Sequence, residues 1–210
     1  MANSTAMQPK DARWLANLND FESTIASVGD ALLARAAYSA GEHVLDIGCC
    51  GGATSLAIAE AVQPGGEVLG IDISPDLIAA TTRRAAAAGI ANARFVCADA
   101  ASVTLPDSPY DRLFSRFGSM FFADPISAFA NLRKLLDLGG RIDLAVWGPP
   151  QQNPWMLEGM AVARRHVELL APLPRAPLAP IEEVSPILHH SPAGARYTHL
   201  SVLRQAFATM

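Results

Sequence analysis

The spacing of apolar positions changes near residue 43. Before it, Trp14, Leu15 and Leu18 within 10–18, and Ile25, Val28, Leu32 and Leu33 within 21–38, recur three and four residues apart. That period predicts two packing helices, with a lid over a site as the sharper alternative, and Gly41 is expected to stop the run. From 43 onward, short β-rich runs alternate with Ala-rich helical stretches. Strands are predicted at 43–47, 67–72, 93–97, 110–115 and 141–147, and helices at 51–63, 75–88 and 124–137. Pro64-Gly65-Gly66 reads as a turn, Pro75 as a first-turn proline, Asp124-Pro125 as a helix start and Gly139-Gly140 as that helix's end. Such alternation predicts an α/β, doubly wound, mostly parallel sheet with helices on both faces.

After Pro150 the pattern fades. One helix is expected over 154–170, and then Pro172, Pro174, Pro177, Pro180, Pro186 and Pro192 interrupt the chain. A strand or a short helix both suit 195–210. The expected organisation is an N-terminal helical segment (1–40), a core (41–150) and a C-terminal helix with a short, Pro-rich tail (151–210).

Composition narrows the classes. The 210 residues are 50% hydrophobic and 17% charged, which excludes a disordered or collagen-like chain. Lysine and arginine number 16 against 20 acidic residues, net −4, which argues against a nucleic-acid partner because phosphate backbones demand a basic footprint. Three cysteines make no disulfide framework. No apolar run long enough for a membrane span and no secretory leader are evident, so a cytoplasmic location is expected.

Chemistry concentrates where strands end. The first strand runs through Asp46 into Gly48-Cys49-Cys50-Gly51-Gly52. Glycine permits left-handed backbone and close approach of a ligand, and in an open parallel sheet this turn lies at the ligand-binding edge. The second strand ends at Asp72, about 20 residues further on, the spacing at which an acid reaches ribose hydroxyls. The third ends before Asp99 and Ala100, where a carboxylate can accept from an exocyclic amine.

These stretches resemble class I S-adenosylmethionine-dependent methyltransferases, in the small-molecule branch related to ubiquinone and menaquinone biosynthesis. The resemblance rests on 44–52, 70–74 and 97–100, on 115–122, 128–133 and 139–141, and on Trp147 through Met156, so it covers about residues 10–160. It implies a Rossmann-like methyltransferase fold, S-adenosylmethionine as cofactor and methyl transfer to a small, apolar acceptor. By matching position it places Asp46, Gly48, Cys49, Cys50 and Gly52 along the methionine end of the cofactor. Asp72 would hold the ribose, Ile73 would pack beside the adenine, and Asp99 and Ala100 would contact its ring. Ser115 would face the sulfonium, with Arg116 next to it. Two departures stand out. Cys50 replaces a usual glycine, with Gly51 expected to absorb the strain, and the tail after Trp155 is shorter than in relatives. They raise the alternative of a degenerate protein that binds the nucleoside without turnover.

Other features carry less. An NAD(P)-binding oxidoreductase needs glycines where this chain has Gly48, Cys50 and Ala53, and Cys50 fails the position that pyrophosphate approaches. Cys49-Cys50 cannot make a zinc pair, so no metal is expected, and Cys97 reads as buried strand core. His189-His190 and His166 read as solvated. Phe117, Met120, Phe121 and Phe122 suit an acceptor pocket and a core equally well. Trp14 and Trp155 are equally ambiguous. Gly148-Pro149-Pro150 resembles a nucleic-acid methyltransferase motif but follows the wrong strand.

Overall fold

Five strands lie side by side in the order β3-β2-β1-β4-β5, every neighbouring pair parallel. The computed structural model describes residues 15–148 together with 153, 157, 158, 161, 162 and 165. Trp14, Trp155, His166, His189-His190, Pro149-Pro150 and the segment 195–210 fall outside the described residues, as does most of the helix expected over 154–170. The chain divides into two compact units, one ending at Ala145 and one starting at Val146. The sheet and the helices below belong to the first.

The strands are β1 His43–Ile47, β2 Glu67–Asp72, β3 Ala93–Cys97, β4 Tyr110–Arg116 and β5 Leu136–Ala145. The helices are α1 Leu18–Thr24, α2 Ala26–Ala36, α3 Ala53–Ala61, α4 Pro75–Ala87 and α5 Pro125–Leu135, with a 3₁₀ turn at Ser119–Phe121. The apolar runs explain the sheet, since parallel strands are buried on both faces and need near-continuous hydrophobic sequence. Val44, Val68 and Phe114 cluster with Leu32 of α2 and Ile58 and Ala59 of α3. Their neighbours Leu45, Ile71 and Leu113 are also buried and, by the period-two alternation of a strand, face the opposite side. Ala128, Phe129, Leu132 and Leu135 are the buried stripe of α5, which packs on β5.

Helix starts follow their caps. Ser74 accepts from Leu77 N–H, and Asp124 from Ile126 and Ser127 N–H, each before a first-turn proline.

The structure corrects the sequence-based expectation in four places. The helix predicted over 21–38 breaks at Ile25, where Ser23 and Thr24 hydroxyls both donate to Asp20 O, at 2.7 and 2.9 Å, and compete for helical backbone. Ala37, at φ 49°, and not Gly41, closes α2. Gly139 and Gly140 do not end α5, which stops at Leu135; they lie in an excursion of β5, whose register on β4 steps from Tyr110↔Leu136 to Arg112↔Arg141. Gly140 is needed there because a Cβ would sit 2.8 Å from Asp111 O. Finally, Cys97 is exposed. It sits on β3, which has only β2 beside it, so its surroundings are half those of a central strand.

Candidate cofactor site at the carboxyl edge of the sheet

The β1–α3 turn is built by its neighbours. Gly48 and Cys49 N–H groups both donate to Ile71 O, at 2.8 and 3.1 Å, so the turn folds over the end of β2. Gly48 (φ 70°) and Gly52 (φ 79°) take left-handed backbone. Gly48 also touches the turn after β4: a Cβ on it would lie 2.8 Å from Gly118 Cα. At Gly52 a Cβ would collide with Thr81 Cγ2 of α4.

Cys50 itself takes the left-handed conformation, at φ 52°, while Gly51 does not. The expectation that Gly51 absorbs the strain is therefore wrong. The 50–51 peptide is locked by Thr81 Oγ1, which donates to Cys50 O at 2.7 Å, and this fixes the strain at Cys50. A non-glycine residue there costs about 1–2 kcal/mol. Burial pushes the Cys50 thiol up to about 11 and raises that of Cys49 further, so both stay protonated at neutral pH. Among the described residues no three His, Cys, Asp or Glu side chains cluster as a metal site.

Asp46 is the penultimate residue of β1 and is buried, 1% exposed. Its Oδ2 accepts from Thr54 Oγ1 at 3.0 Å and Ser55 Oγ at 2.6 Å. Its Oδ1 is buried without a partner. Burial pushes its pKa up to about 6, against the hydrogen bonds of Ser55 and Thr54 and the charge of Arg116.

Asp72 ends β2 beside the turn. Its Oδ2 accepts from Cys50 N–H and its Oδ1 from Ser74 N–H, both at 3.0 Å, so each oxygen keeps a lone pair for a ligand hydroxyl. Ile73 next to it is 75% exposed, an apolar plate beside the acid. Ala98 N–H donates to Asp72 O at 2.9 Å, which ties the loop carrying Asp99 to the same edge. Asp99 is exposed, with Oδ1 accepting from Ala101 N–H at 2.9 Å. Asn131 of α5 secures this loop by donating to Ala100 O and Val103 O, at 3.2 and 3.0 Å.

Ser115 is placed differently from the rest. It is fully buried, donating to Ile47 O at 2.7 Å and accepting from Ser119 N–H at 3.0 Å. Its hydroxyl proton is spent on backbone, so it braces β4 against β1. The aromatic run beyond it divides: Phe117 is buried at φ 65°, Phe122 packs edge-on against Phe129 with centroids 5.8 Å apart, and Phe121 is 79% exposed.

The sequence reading missed a clamp. Glu22 of α1 is buried; its Oε1 accepts from Ala53 N–H at 3.3 Å and its Oε2 pairs with Arg84 of α4. Arg84 also donates to Gly51 O at 3.0 Å. Gly52 has no side chain to cap α3, so an acid from another helix does so, where the helix dipole favours it. The only signal was an acid on an otherwise packing helix.

The donor set suits an adenosyl amino acid. Asp46 Oδ1 is an orphaned buried acceptor near the turn, Asp72 offers two oxygens to a diol, and Ile73 gives an exposed apolar face for a heterocycle. A five-stranded parallel sheet with this Gly turn and acids at consecutive strand ends defines a nucleoside-binding Rossmann-like domain. Residues 44–140 match the Methyltransferase domain family, and over this stretch the chain is similar to S-adenosylmethionine-dependent methyltransferases. It is 32% identical over 167 residues to nocamycin O-methyltransferase of Saccharothrix syringae (79% of this chain, 59% of the relative). It is 34% identical over 116 residues to demethylmenaquinone methyltransferase of Thermus thermophilus (55% and 52%). The crystal structure of YcgJ from Bacillus subtilis superimposes with a TM-score of 0.53 at 28% identity, covering 65% of this chain and 58% of that one. The chain thus spans little more than half the length of these relatives. Among the described residues no helix is long and apolar enough to cross a membrane.

Proposed function

We propose that this chain transfers a methyl group from S-adenosylmethionine to a small molecule with an apolar body, and that nucleic acid is not its substrate. One observation carries the reading: Asp46, the Gly48–Gly52 turn and Asp72 meet at adjoining strand ends, inside the stretch that matches the methyltransferase family. The relatives point the same way, one being named for an O-methylation and one for a quinone precursor.

The sulfonium, when bound, is an already activated methyl donor. The protein's work is placement, which brings acceptor, methyl and sulfur into line. Asp72 takes the ribose hydroxyls, Ile73 and the Asp99–Ala100 loop frame the adenine, and the Gly48 to Gly52 backbone lines the methionine end. Asp46 Oδ1 is free to accept from the ligand's ammonium. Ser115 acts from beneath, holding the β4 turn. Exposed Phe121, in the turn after β4, offers an apolar surface to the acceptor.

Isothermal titration with S-adenosylmethionine and its demethylated product tests the site. Asp72→Ala is expected to lose about 1.5–3 kcal/mol of binding, the range for hydrogen bonds to a charged group. Equal affinity in the variant removes the ribose assignment. The strained Cys50 favours a second reading, binding without turnover. Transfer of labelled methyl to any member of a panel of phenols, quinols and acids eliminates it.

A further inference from the structure

Arg116 is the last residue of β4, on the same face of the sheet as Phe114, and its charge reaches Asp46. Arg84, Arg94, Arg112 and Arg141 each pair with a carboxylate. Arg116 is half-buried and makes no hydrogen bond or ion pair among the described residues. Its place is prepared nonetheless. Gly29 interrupts α2, where glycine costs about 1 kcal/mol against alanine. A Cβ at Gly29 would lie 2.8 Å from Arg116 Nη1 and 3.4 Å from its Cδ. The missing side chain is the slot in which the guanidinium lies.

That slot opens into a cavity of about 390 Å³, lined by Arg116, Thr54, Glu22, Ser23, Asn19 and Asp30 among others. The volume suits a small molecule or part of one. Arg84 pairs with Glu22, and the Thr54 hydroxyl is spent on Asp46, so of the two guanidiniums that line the cavity Arg116 is the one without a carboxylate partner among the described residues. A planar cation with five N–H donors, desolvated on one side and unpaired, is suited to a carboxylate above other anions of similar size.

We propose that Arg116 is a carboxylate-binding residue of this site. The carboxylate belongs either to the amino-acid end of the cofactor or to an acidic acceptor. Both sources share one chemistry, and both rest on the methyltransferase reading above.

The experiment separates them. Wild type and Arg116→Met are titrated with S-adenosylmethionine and with 5′-methylthioadenosine, which lacks the amino-acid end. Methyl transfer is then measured to paired acceptors, carboxylic acids and their neutral amides. If the cofactor's carboxylate is held, Arg116→Met weakens S-adenosylmethionine about ten- to hundredfold and leaves methylthioadenosine unchanged. If the acceptor's is held, nucleoside affinities stay equal and KM rises by a similar factor for acids alone. Gly29→Ala keeps the charge but displaces the guanidinium, so it should show the same selective loss in smaller measure, with unchanged circular dichroism as the control for folding. Equal losses on charged and neutral ligands, or none, overturn the assignment. Wild type that binds neither nucleoside sinks the methyltransferase reading, and the assignment with it.

Discussion

Two buried aspartates mark opposite uses of the same sheet. Asp143 on β5 is 7% exposed and fully engaged: Arg112 Nε and Nη2 donate to its Oδ2, at 3.1 and 2.8 Å, and Arg141 donates to its Oδ1 at 3.1 Å. Arg112 goes on to Glu42 at 3.1 Å and Ala36 O at 2.6 Å, and lies over the Tyr38 ring. This network joins the end of α2 to β4 and β5. Asp46 on β1 is as deeply buried, yet only one of its oxygens is engaged, and by hydroxyls. A buried carboxylate with guanidinium partners organises a fold, whereas one with a vacant oxygen keeps free energy in reserve for a ligand.

The largest effect should come from breaking the satisfied network. Arg112→Met leaves Asp143 buried without its main counter-charge and should cost about 3–5 kcal/mol of stability. Urea denaturation reads this, and the affinity of the folded fraction for S-adenosylmethionine should not move.

Asp46 sharpens the contrast through pH. Its folded pKa of about 6 lies above the ordinary 3.8, so the native state holds the proton more tightly than the unfolded chain. Its contribution is full below the unfolded value and is lost as pH rises through about 6, a penalty on the order of 3 kcal/mol at pH 7. Asp46→Asn removes that penalty. Measured between pH 4 and 7, the stability difference between variant and wild type should grow in the variant's favour. A flat difference would mean that the ligand-free carboxylate is better solvated than its burial implies.

The Asp72→Ala loss comes next, in binding and also in folding, because the Cys50 and Ser74 N–H groups lose their acceptor. The smallest effect is at Cys50. Cys50→Gly relieves left-handed backbone but frees the unfolded chain, so the two changes oppose each other and stability should shift by less than about 1 kcal/mol. Affinity for the cofactor should rise if the Cβ crowds it, and titration calorimetry shows whether it does.

Much of the fold was legible because its signals were local and concordant. β1, β2 and β3 took their predicted bounds, where apolar runs sit between Gly-Pro turns and capped helices. The start of β5 was misread because Gly139-Gly140 looks the same locally whether it ends a helix or lets a strand swing past Asp111. The break at Ile25 was hidden because apolar spacing runs through it unchanged. At the strand ends, the turn glycines and the acids were legible by type and place as a candidate site. The Glu22–Arg84 clamp and the Gly29 slot were not, since each depends on elements far apart in sequence meeting in space. The burial of Ser115 was not legible, because a strand-end hydroxyl can point to solvent or to backbone and only packing decides.

The contact between Gly48 and Gly118 sets a limit on tolerance to change. Gly41, Gly65 and Gly89 also have left-handed backbone but open space around them, so asparagine or aspartate could stand in. At Gly48 the obstacle is another main chain, which no rotamer change relieves. A saturation library should return diverse residues at the first three positions and glycine alone at 48 and 118, so anyone redesigning this domain inherits a hinge pin that cannot be swapped out.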